Sequence, residues 1–261
     1  MAAWLTGLTF VEALGWASAL FVSLTLVSLA AGYAVERRTW ATAGKIFDVP
    51  ARRGQLRHEV IGTALFHVIW LPAVAGALAS GLVRFSGGLG RELVTFFGAM
   101  FFFQVYYWLM HRAMHWRPLF FLHRWHHRSL VTSPMTGFSM SPLEAVGWTV
   151  GFLAPAALLS LAGGAGAWGY LGFLGVAWYG NIAGHANAEY MPALTSTRWG
   201  SRLFSNPISY HALHHARFDR HYGFATAWMD AIFGTQWPDW IPLSRRVRGG
   251  APMTSLRERA D

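Results

Sequence analysis

The chain has 261 residues, of which 54% are hydrophobic and only 13% are charged. Soluble domains carry about 25% charged residues, so this composition indicates a polytopic membrane protein and argues against a soluble enzyme or a disordered chain. The sequence contains no cysteine, which excludes disulfides, iron–sulfur clusters and thiolate metal sites. The net charge of +9 is consistent with nucleic-acid binding or with the basic cytoplasmic loops of a membrane protein. The distribution of the charge along the chain distinguishes these two explanations.

Five stretches are apolar over the roughly 20 residues that a helix needs to cross a bilayer. They predict an all-α fold, a polytopic membrane protein with four to five transmembrane helices. The polar remainder of the chain is predicted to form a cytosolic helical cap. The stretches run from about 11 to 35, 60 to 83, 93 to 110, 143 to 162 and 167 to 184.

Basic residues fall on one side of the predicted membrane. All Lys and Arg residues except Arg84 and Arg91 lie in 36–59, 111–142 and 185–261, which an odd number of spans places together. Because positively charged loops remain in the cytoplasm, we predict that these segments and the C-terminus are cytoplasmic and the N-terminus is outside. Topology then accounts for the charge, so no nucleic acid partner is expected.

Nine of the twelve histidines occur at spacings of three and four residues, or directly after an apolar stretch. Residues three and four apart share one face of a helix, so each group directs two or three imidazoles to one point. All of them lie on the side predicted to be cytoplasmic. They are His111, His115, His123, His126, His127, His185, His211, His214 and His215.

These histidines predict a site for two metal ions. Neutral imidazole binds iron, zinc, copper and nickel, and nine rings exceed the capacity of one ion. The groups contain no carboxylate, which favours redox iron, although zinc stays open as a replacement. Two non-catalytic functions also stay open. One is a membrane metal-binding protein. The other is a haem-type electron-transfer protein, which would need pairs of histidines inside facing spans, whereas only His67 lies inside a span.

The motifs HRAMH, HRWHH and HALHH follow one another between apolar spans. Together with the His185–Asn187 and Asp230–Thr235 stretches, they resemble the fatty acid hydroxylase/sterol desaturase superfamily of membrane non-haem di-iron oxygenases, over roughly 93 to 238. The resemblance implies two Fe ions, O₂ as cosubstrate, and hydroxylation or desaturation of an unactivated C–H bond of a lipid, such as a sterol or fatty acyl chain. We therefore predict one integral membrane domain over 1–261, with N-terminal transmembrane helices (1–90), a histidine-box catalytic region (91–240) and a basic C-terminal tail (241–261).

Electrons for this chemistry must come from outside the chain, because it has no cysteine and no dinucleotide-binding glycine motif. A ferredoxin, or a cytochrome with its reductase, is the expected donor, docking on the basic face. The lipid substrate is expected to enter from the membrane.

Two positions depart from the family pattern, and five polar residues are weaker candidates. The stretch Ser139–Glu144 has no histidine where many members carry one, and His221 stands where many have Asn. Near the histidines, Glu189 and Asp219 are predicted to orient a ligating imidazole, and His58 is predicted to be solvated. His67 either has a function or is a neutral ring bonded to a neighbouring helix. The candidates for weak ligation or for contact with a ligand are Asn181, Asn187, Glu189, Asp219 and His221.

Overall fold

The computed structural model describes residues 7–42 and 44–260, and this part of the chain is mostly helical. Long helices form a bundle, and short helices from the second half of the chain cover one end of it. The long helices are α1 (Phe10–Ala41), α2 (Gln55–Ala79), α3 (Leu89–Met114), α5 (Pro142–Leu161) and α6 (Ala167–Ala183). The short ones are α4 (Phe120–His123), α7 (Arg198–Leu203), α8 (Ile208–Arg217), α9 (Trp228–Ile232) and α10 (Trp240–Arg248).

The remaining elements are brief. In the part of the chain that the structure describes, 3₁₀ turns lie at His126–Arg128, Pro134–Phe138 and Ala193–Ser196. Strands β1 (Phe85–Ser86) and β2 (Ala165–Gly166) pair in parallel at the end of the bundle opposite the cap.

Among the described residues, α1, α2, α3 and α5 are long and apolar enough to cross a membrane. Helix α6 has 17 residues, so at about 1.5 Å per residue it is shorter than the roughly 30 Å hydrocarbon core. It nevertheless contacts α1 and α3, and its Phe173 and Trp178 are fully buried. The prediction of an all-α membrane fold with four to five spanning helices is confirmed.

Helix α1 ends more than one turn beyond the predicted limit of its apolar stretch at residue 35. Hydropathy measures the cost of placing side chains in lipid, whereas backbone hydrogen bonding continues through polar residues. Glu36, in this extension, accepts the backbone N–H of Asn187 at 2.8 Å. The extension therefore ties the bundle to the cap.

The centre of the bundle is filled with aromatic rings. Phe66, Phe138 and Trp178 lie with their ring centroids 4.4–5.6 Å apart. Phe103 of α3 stacks on Phe152 of α5 at 4.7 Å. Since all five are buried, they form an apolar floor beneath the cap.

The cap has an apolar core of its own. Leu213 of α8 and Trp240 of α10 are buried in it. Phe47, from the connection between α1 and α2, enters the same core and pairs with Met253. Residues 241–261, predicted as a basic tail, thus contain a helix that packs within the cap.

Candidate metal centre

The predicted ligands lie where helices end or begin at the cap end of the bundle. His111 is in the last turn of α3, and His115 is the C-cap of that helix. His185 directly follows the C-cap of α6. His123 ends α4, the turn His126–Arg128 supplies two histidines, and α8 supplies three.

The nine histidines come together as two clusters. Within each cluster, one ring nitrogen from every histidine lies within 4.8 Å of the others. Adjacent histidines of one motif belong to different clusters, so the two clusters lie side by side. For example, the rings of His127 and His215, one from each cluster, stack with their centroids 4.7 Å apart. The five-histidine cluster is His111, His115, His123, His127 and His214. The four-histidine cluster is His126, His185, His211 and His215.

Six of these rings are held through Nδ1 by hydrogen-bond acceptors. A carbonyl oxygen can only accept, so Nδ1 carries the proton and Nε2 of the neutral ring keeps its lone pair. Such contacts fix the tautomer and orientation of metal-binding histidines. Glu144 Oε1 lies 2.6 Å from His123 Nδ1. The carbonyl contacts are His111 to Tyr222 (3.0 Å), His126 to Ser139 (3.2 Å), His185 to Asn181 (2.5 Å), His214 to Arg220 (2.6 Å) and His215 to Ser129 (2.9 Å).

The free nitrogens face one another at the spacing that a metal ion requires. Nε2 of His126 lies 3.2 Å from Nε2 of His185, and both atoms carry lone pairs, which repel unless a cation lies between them. Metal–imidazole bonds are about 2.0–2.1 Å long, so two nitrogens on one ion lie roughly 3 Å apart. In the other cluster, Nε2 of His111, His115 and His123 is buried without a hydrogen-bond partner in the described chain. Both clusters therefore fit metal ions.

Burial keeps the cluster histidines neutral. Removal from water lowers the pKa of the His126 imidazole to about 3 and that of His185 to about 4. Burial, together with the neighbouring imidazoles, holds the pKa values of His211, His214 and His215 well below the ordinary value. At neutral pH these rings are therefore unprotonated, as a metal ligand must be.

Glu144 is a site residue that the sequence prediction missed. It is 1% exposed in the first turn of α5, and its Oε1 also accepts the Trp148 indole N–H at 3.2 Å. The sequence did offer a signal for this role, since Glu144 is a lone acidic residue at the start of an apolar helix. A carboxylate buried there requires a polar partner. The Ser139–Glu144 stretch, which lacks the expected histidine, thus supplies two anchors: the Ser139 carbonyl for His126 and the Glu144 carboxylate for His123.

Replacing Glu144 by leucine is expected to weaken metal binding by roughly 10–100-fold, the range for partners that orient metal ligands. His123 would lose the acceptor that fixes its ring, while all nine histidines remain. Metal retained by purified protein during titration with a chelator measures the effect. Glu12→Leu, at an exposed glutamate near the start of α1, is the control; equal metal retention in both variants would contradict the assigned role.

Asn181 and Asn187 were candidates for weak ligation or for contact with a ligand. Asn181 Nδ2 donates to the Gly137 carbonyl at 2.6 Å, and its backbone carbonyl holds His185. Asn187 uses both ends of its amide on Phe47: Oδ1 accepts the backbone N–H at 2.8 Å and Nδ2 donates to the carbonyl at 2.9 Å. The Asn187 amide is therefore used within the chain and is not free to bind a metal, whereas Asn181 contacts His185 through its backbone carbonyl.

The prediction that Glu189 or Asp219 orients a ligating imidazole is wrong. The Glu189 carboxylate accepts from Ser209 N–H and O–H at 2.9 and 2.7 Å and pairs with Arg248 at 3.1 Å. Asp219 is exposed. The prediction assumed helical spacing beyond each histidine, but α6 ends before Glu189 and α8 ends at Arg217, so a residue four positions on does not share the face.

His221 is not placed to bind metal, because both of its ring nitrogens are used. Nδ1 donates to the Tyr210 carbonyl at 2.9 Å, and Nε2 accepts the Trp237 backbone N–H at 2.9 Å. Its φ of 65° is left-handed, a conformation in which Asn and His are enriched. His221 therefore shapes the turn after α8, which explains why either residue suits this position.

The two histidines of α2 lie outside both clusters. The prediction that His58 is solvated is wrong: it is 7% exposed, its Nε2 lies 2.9 Å from the Trp125 carbonyl, and the two rings stack at 4.1 Å. His67 is bonded to the Thr63 carbonyl at 2.8 Å and to Thr25 Oγ1 of α1 at 2.9 Å, as expected for a neutral ring bonded to a neighbouring helix.

A cleft of about 400 Å³ leads to the four-histidine cluster. It lies between α3, α6 and the start of α8, and both His185 and His211 line it. Its walls are mainly apolar, with Phe224 on one side. Val176 and Phe204, which are 49% and 67% exposed, line it where it meets the surface.

This geometry, a bundle of apolar helices with two histidine clusters under a cap, defines an integral membrane protein able to hold metal. The chain belongs to the fatty acid hydroxylase family, whose model matches residues 96–235. That region is just over half of the chain and includes all nine histidines. The resemblance seen in the sequence motifs is confirmed, and members of this family typically depend on iron.

Curated relatives match half of the chain or more. Very-long-chain aldehyde decarbonylase GL1-4 of Oryza sativa subsp. indica is 31% identical over 139 residues, 50% of this chain and 21% of that protein. Protein CER1-like 1 of Arabidopsis thaliana is 32% identical over 141 residues, with the same coverage. Very-long-chain aldehyde decarbonylase GL1-5 of Oryza sativa subsp. indica is 32% identical over 202 residues, 76% of this chain and 32% of that protein. The chain thus spans about a fifth to a third of these relatives, and no solved structure gives a significant match.

Proposed function

We propose that this chain is an O₂-dependent di-iron enzyme that hydroxylates or desaturates an unactivated C–H bond of a lipid. The observation that carries the proposal is the apolar cleft that ends at His185 and His211. Its volume falls in the range of roughly 300–1,000 Å³ typical of small-molecule sites. A site with imidazoles at its end and apolar walls suits an apolar chain rather than a polar metabolite.

The histidine clusters would hold two irons, which when bound supply the activation of O₂ that cleavage of an unactivated C–H bond requires. The chain's own residues prepare that chemistry. Carbonyl and carboxylate anchors hold the imidazoles before metal arrives, which reduces reorganisation on binding. The apolar walls, including Tyr107 and Phe224, exclude water and restrict the orientation of a bound chain.

The bilayer is the proposed source of the lipid. Helix α7 and the residue after it present exposed apolar side chains, with Trp199 at 70%, Leu203 at 67% and Phe204 at 67%. Arg198 and Arg202 lie on the same short helix. Tryptophan and arginine together are typical of the membrane–water interface, and Phe204 also lines the cleft, so a lipid could pass directly from the bilayer.

An acidic ferredoxin, or a cytochrome with its reductase, is the proposed electron donor. A surface concavity of about 650 Å³ is lined by Arg52, Arg124 and Arg128 and reaches His127 of the five-histidine cluster. The three arginines are exposed, and none forms an ion pair within the described chain. Unpaired positive charge beside this histidine of the cluster favours docking of a negatively charged partner.

The proposed topology places the histidine clusters in the cytoplasm. We expect reporter fusions after Arg53 and after Ala260 to be cytoplasmic and a fusion at Gly88 to be external, because the basic loops are retained inside. Alkaline phosphatase and green fluorescent protein fusions at these sites measure it. Opposite locations for the fusions at Arg53 and Ala260 would contradict a common metal face.

A long-chain aldehyde is the second candidate substrate, because two of the relatives are named very-long-chain aldehyde decarbonylases. Loss of the aldehyde carbon would yield a shortened hydrocarbon, whereas hydroxylation or desaturation keeps the carbon count. Product mass therefore separates the two reactions.

Lipid profiling of cells under oxygen tests the proposal. Cells that express the chain are expected to accumulate a lipid that is heavier by one oxygen or lighter by two hydrogens. Cells that express His126→Ala should lack it, and ¹⁸O₂ should label a hydroxylated product. An unchanged lipid profile under iron-replete, aerated conditions with a coexpressed donor would refute the proposed function.

A further inference from the structure

The carboxamide of Asn206 is buried and unpaired in the wall of the cleft. Asn206 is 6% exposed and lines the cleft together with His185 and His211. Neither Oδ1 nor Nδ2 has a hydrogen-bond partner among the described residues. Its backbone is fixed, because Asn206 N–H donates to the Ala225 carbonyl at 2.7 Å and Pro207 follows as the N-cap of α8.

An unpaired amide is not a general property of this region. The nearby Gln104 uses both ends of its amide: Nε2 donates to Thr226 Oγ1 at 3.2 Å, and Oε1 accepts the Ala225 N–H at 3.2 Å. Buried polar atoms in proteins are nearly always hydrogen-bonded, since leaving them unpaired destabilises the fold. The exception at Asn206 therefore calls for a partner from outside the chain.

The chemistry of the amide defines that partner. A carboxamide offers one acceptor oxygen and two donor hydrogens. A hydroxyl group both donates and accepts and so complements it, whereas an ether or ester oxygen only accepts and a hydrocarbon does neither. Because the other walls of the cleft are mainly apolar, the rest of the ligand must be apolar.

We propose that Asn206 binds the hydroxyl group of a long-chain or polycyclic lipid alcohol and thereby sets which carbon faces the four-histidine cluster. This inference rests on the proposed function and narrows its substrate class. Asn206 is a specificity residue in this assignment: it touches substrate at the hydroxyl, away from the reacting C–H bond.

Binding of two nearly isosteric probes tests the assignment. Hexadecanol and heptadecane differ by a hydroxyl in place of a methyl group, and radiolabelled forms can be titrated into metal-loaded protein in nanodiscs, with empty nanodiscs subtracted. Wild-type protein is expected to bind hexadecanol at least about 10-fold more tightly, since sites built for a hydroxyl reject analogues that lack it. Asn206→Leu should abolish this preference and leave heptadecane binding equal or tighter.

Gln104→Leu is the matched control, because it removes a neighbouring amide that is already paired; it should retain the preference for hexadecanol. Equal binding of both probes to wild-type protein would overturn the assignment without any variant, as would a preference that persists in a metal-replete Asn206→Leu protein. No step of the test requires turnover. Alcohol-selective binding without product formation would refute the proposed function alone, and normal lipid oxidation without alcohol selectivity would refute this inference alone.

Discussion

Replacing His126 by alanine is expected to abolish product formation and to lower the metal content of the purified protein. Wild-type protein should contain about two metal ions per chain, because nine imidazoles in two clusters exceed the capacity of one. His126 contributes to the four-histidine cluster beside His185, with the two Nε2 atoms 3.2 Å apart. Its loss removes a ligand that the Ser139 carbonyl holds in place, and water would fill the gap with different geometry. The fall in metal affinity should exceed the roughly 10–100-fold fall that is typical when a residue that only orients a ligand is replaced.

The same outcome is expected for alanine at four other histidines of the clusters, and His67→Ala is the control. His67 lies in the bundle and is bonded to Thr25 and Thr63, so its replacement should leave metal content near normal. Metal analysis and product formation, measured across the set in one membrane preparation, provide the comparison. Loss of metal from His67→Ala but not from His126→Ala would place the site within the bilayer and contradict the assignment. The four are His115, His127, His214 and His215.

Replacing Asp230 by alanine is expected to destabilise the cap by at least about 3 kcal/mol, because buried donors left without an acceptor cost roughly 1–3 kcal/mol each. Asp230 is fully buried and accepts five hydrogen bonds. They join α3 and α8 to the turn before α9, and the turn residue Tyr222 in turn holds His111 through its carbonyl. The five donors are Trp108 Nε1, Tyr210 Oη, Tyr222 N, Gly223 N and Thr235 Oγ1.

Thermal unfolding in mild detergent measures this effect. A loss of about 3 kcal/mol corresponds to a fall in Tm of roughly 6–12 °C for a chain of this size. Asp219→Ala removes an exposed carboxylate from the same turn region and should change Tm little. Metal content should also fall in the Asp230 variant, since Tyr222, whose carbonyl holds His111, loses the hydrogen bond that fixes its own backbone. A variant with unchanged Tm would show that the five contacts do not support the cap.

Local patterns were sufficient to predict which residues form the two clusters. Hydropathy located the bundle helices, because transfer of apolar side chains into lipid depends on composition over about 20 residues. The three histidine motifs placed rings at spacings of three and four, which a helix or a turn brings to one side. The roles of residues just beyond a motif were harder to predict. Asp219 is four residues after His215, but α8 ends at Arg217, so this spacing does not place the two side chains on one helix face.

The sequence by itself determined the membrane class, the helical fold, the set of nine histidines and their division among four segments, because these depend on composition and on short periodic patterns. Only the tertiary structure decided how the nine histidines divide into clusters of five and four, and which carbonyls hold their Nδ1 atoms. It also decided that Glu144 contacts His123, whereas Glu189 bonds to Ser209 and Arg248. It also brought Asn206 to the wall of a cleft that reaches His185. These contacts join residues far apart in the chain, and they depend on where the packed helices place each backbone carbonyl, which a pattern of side chains does not encode.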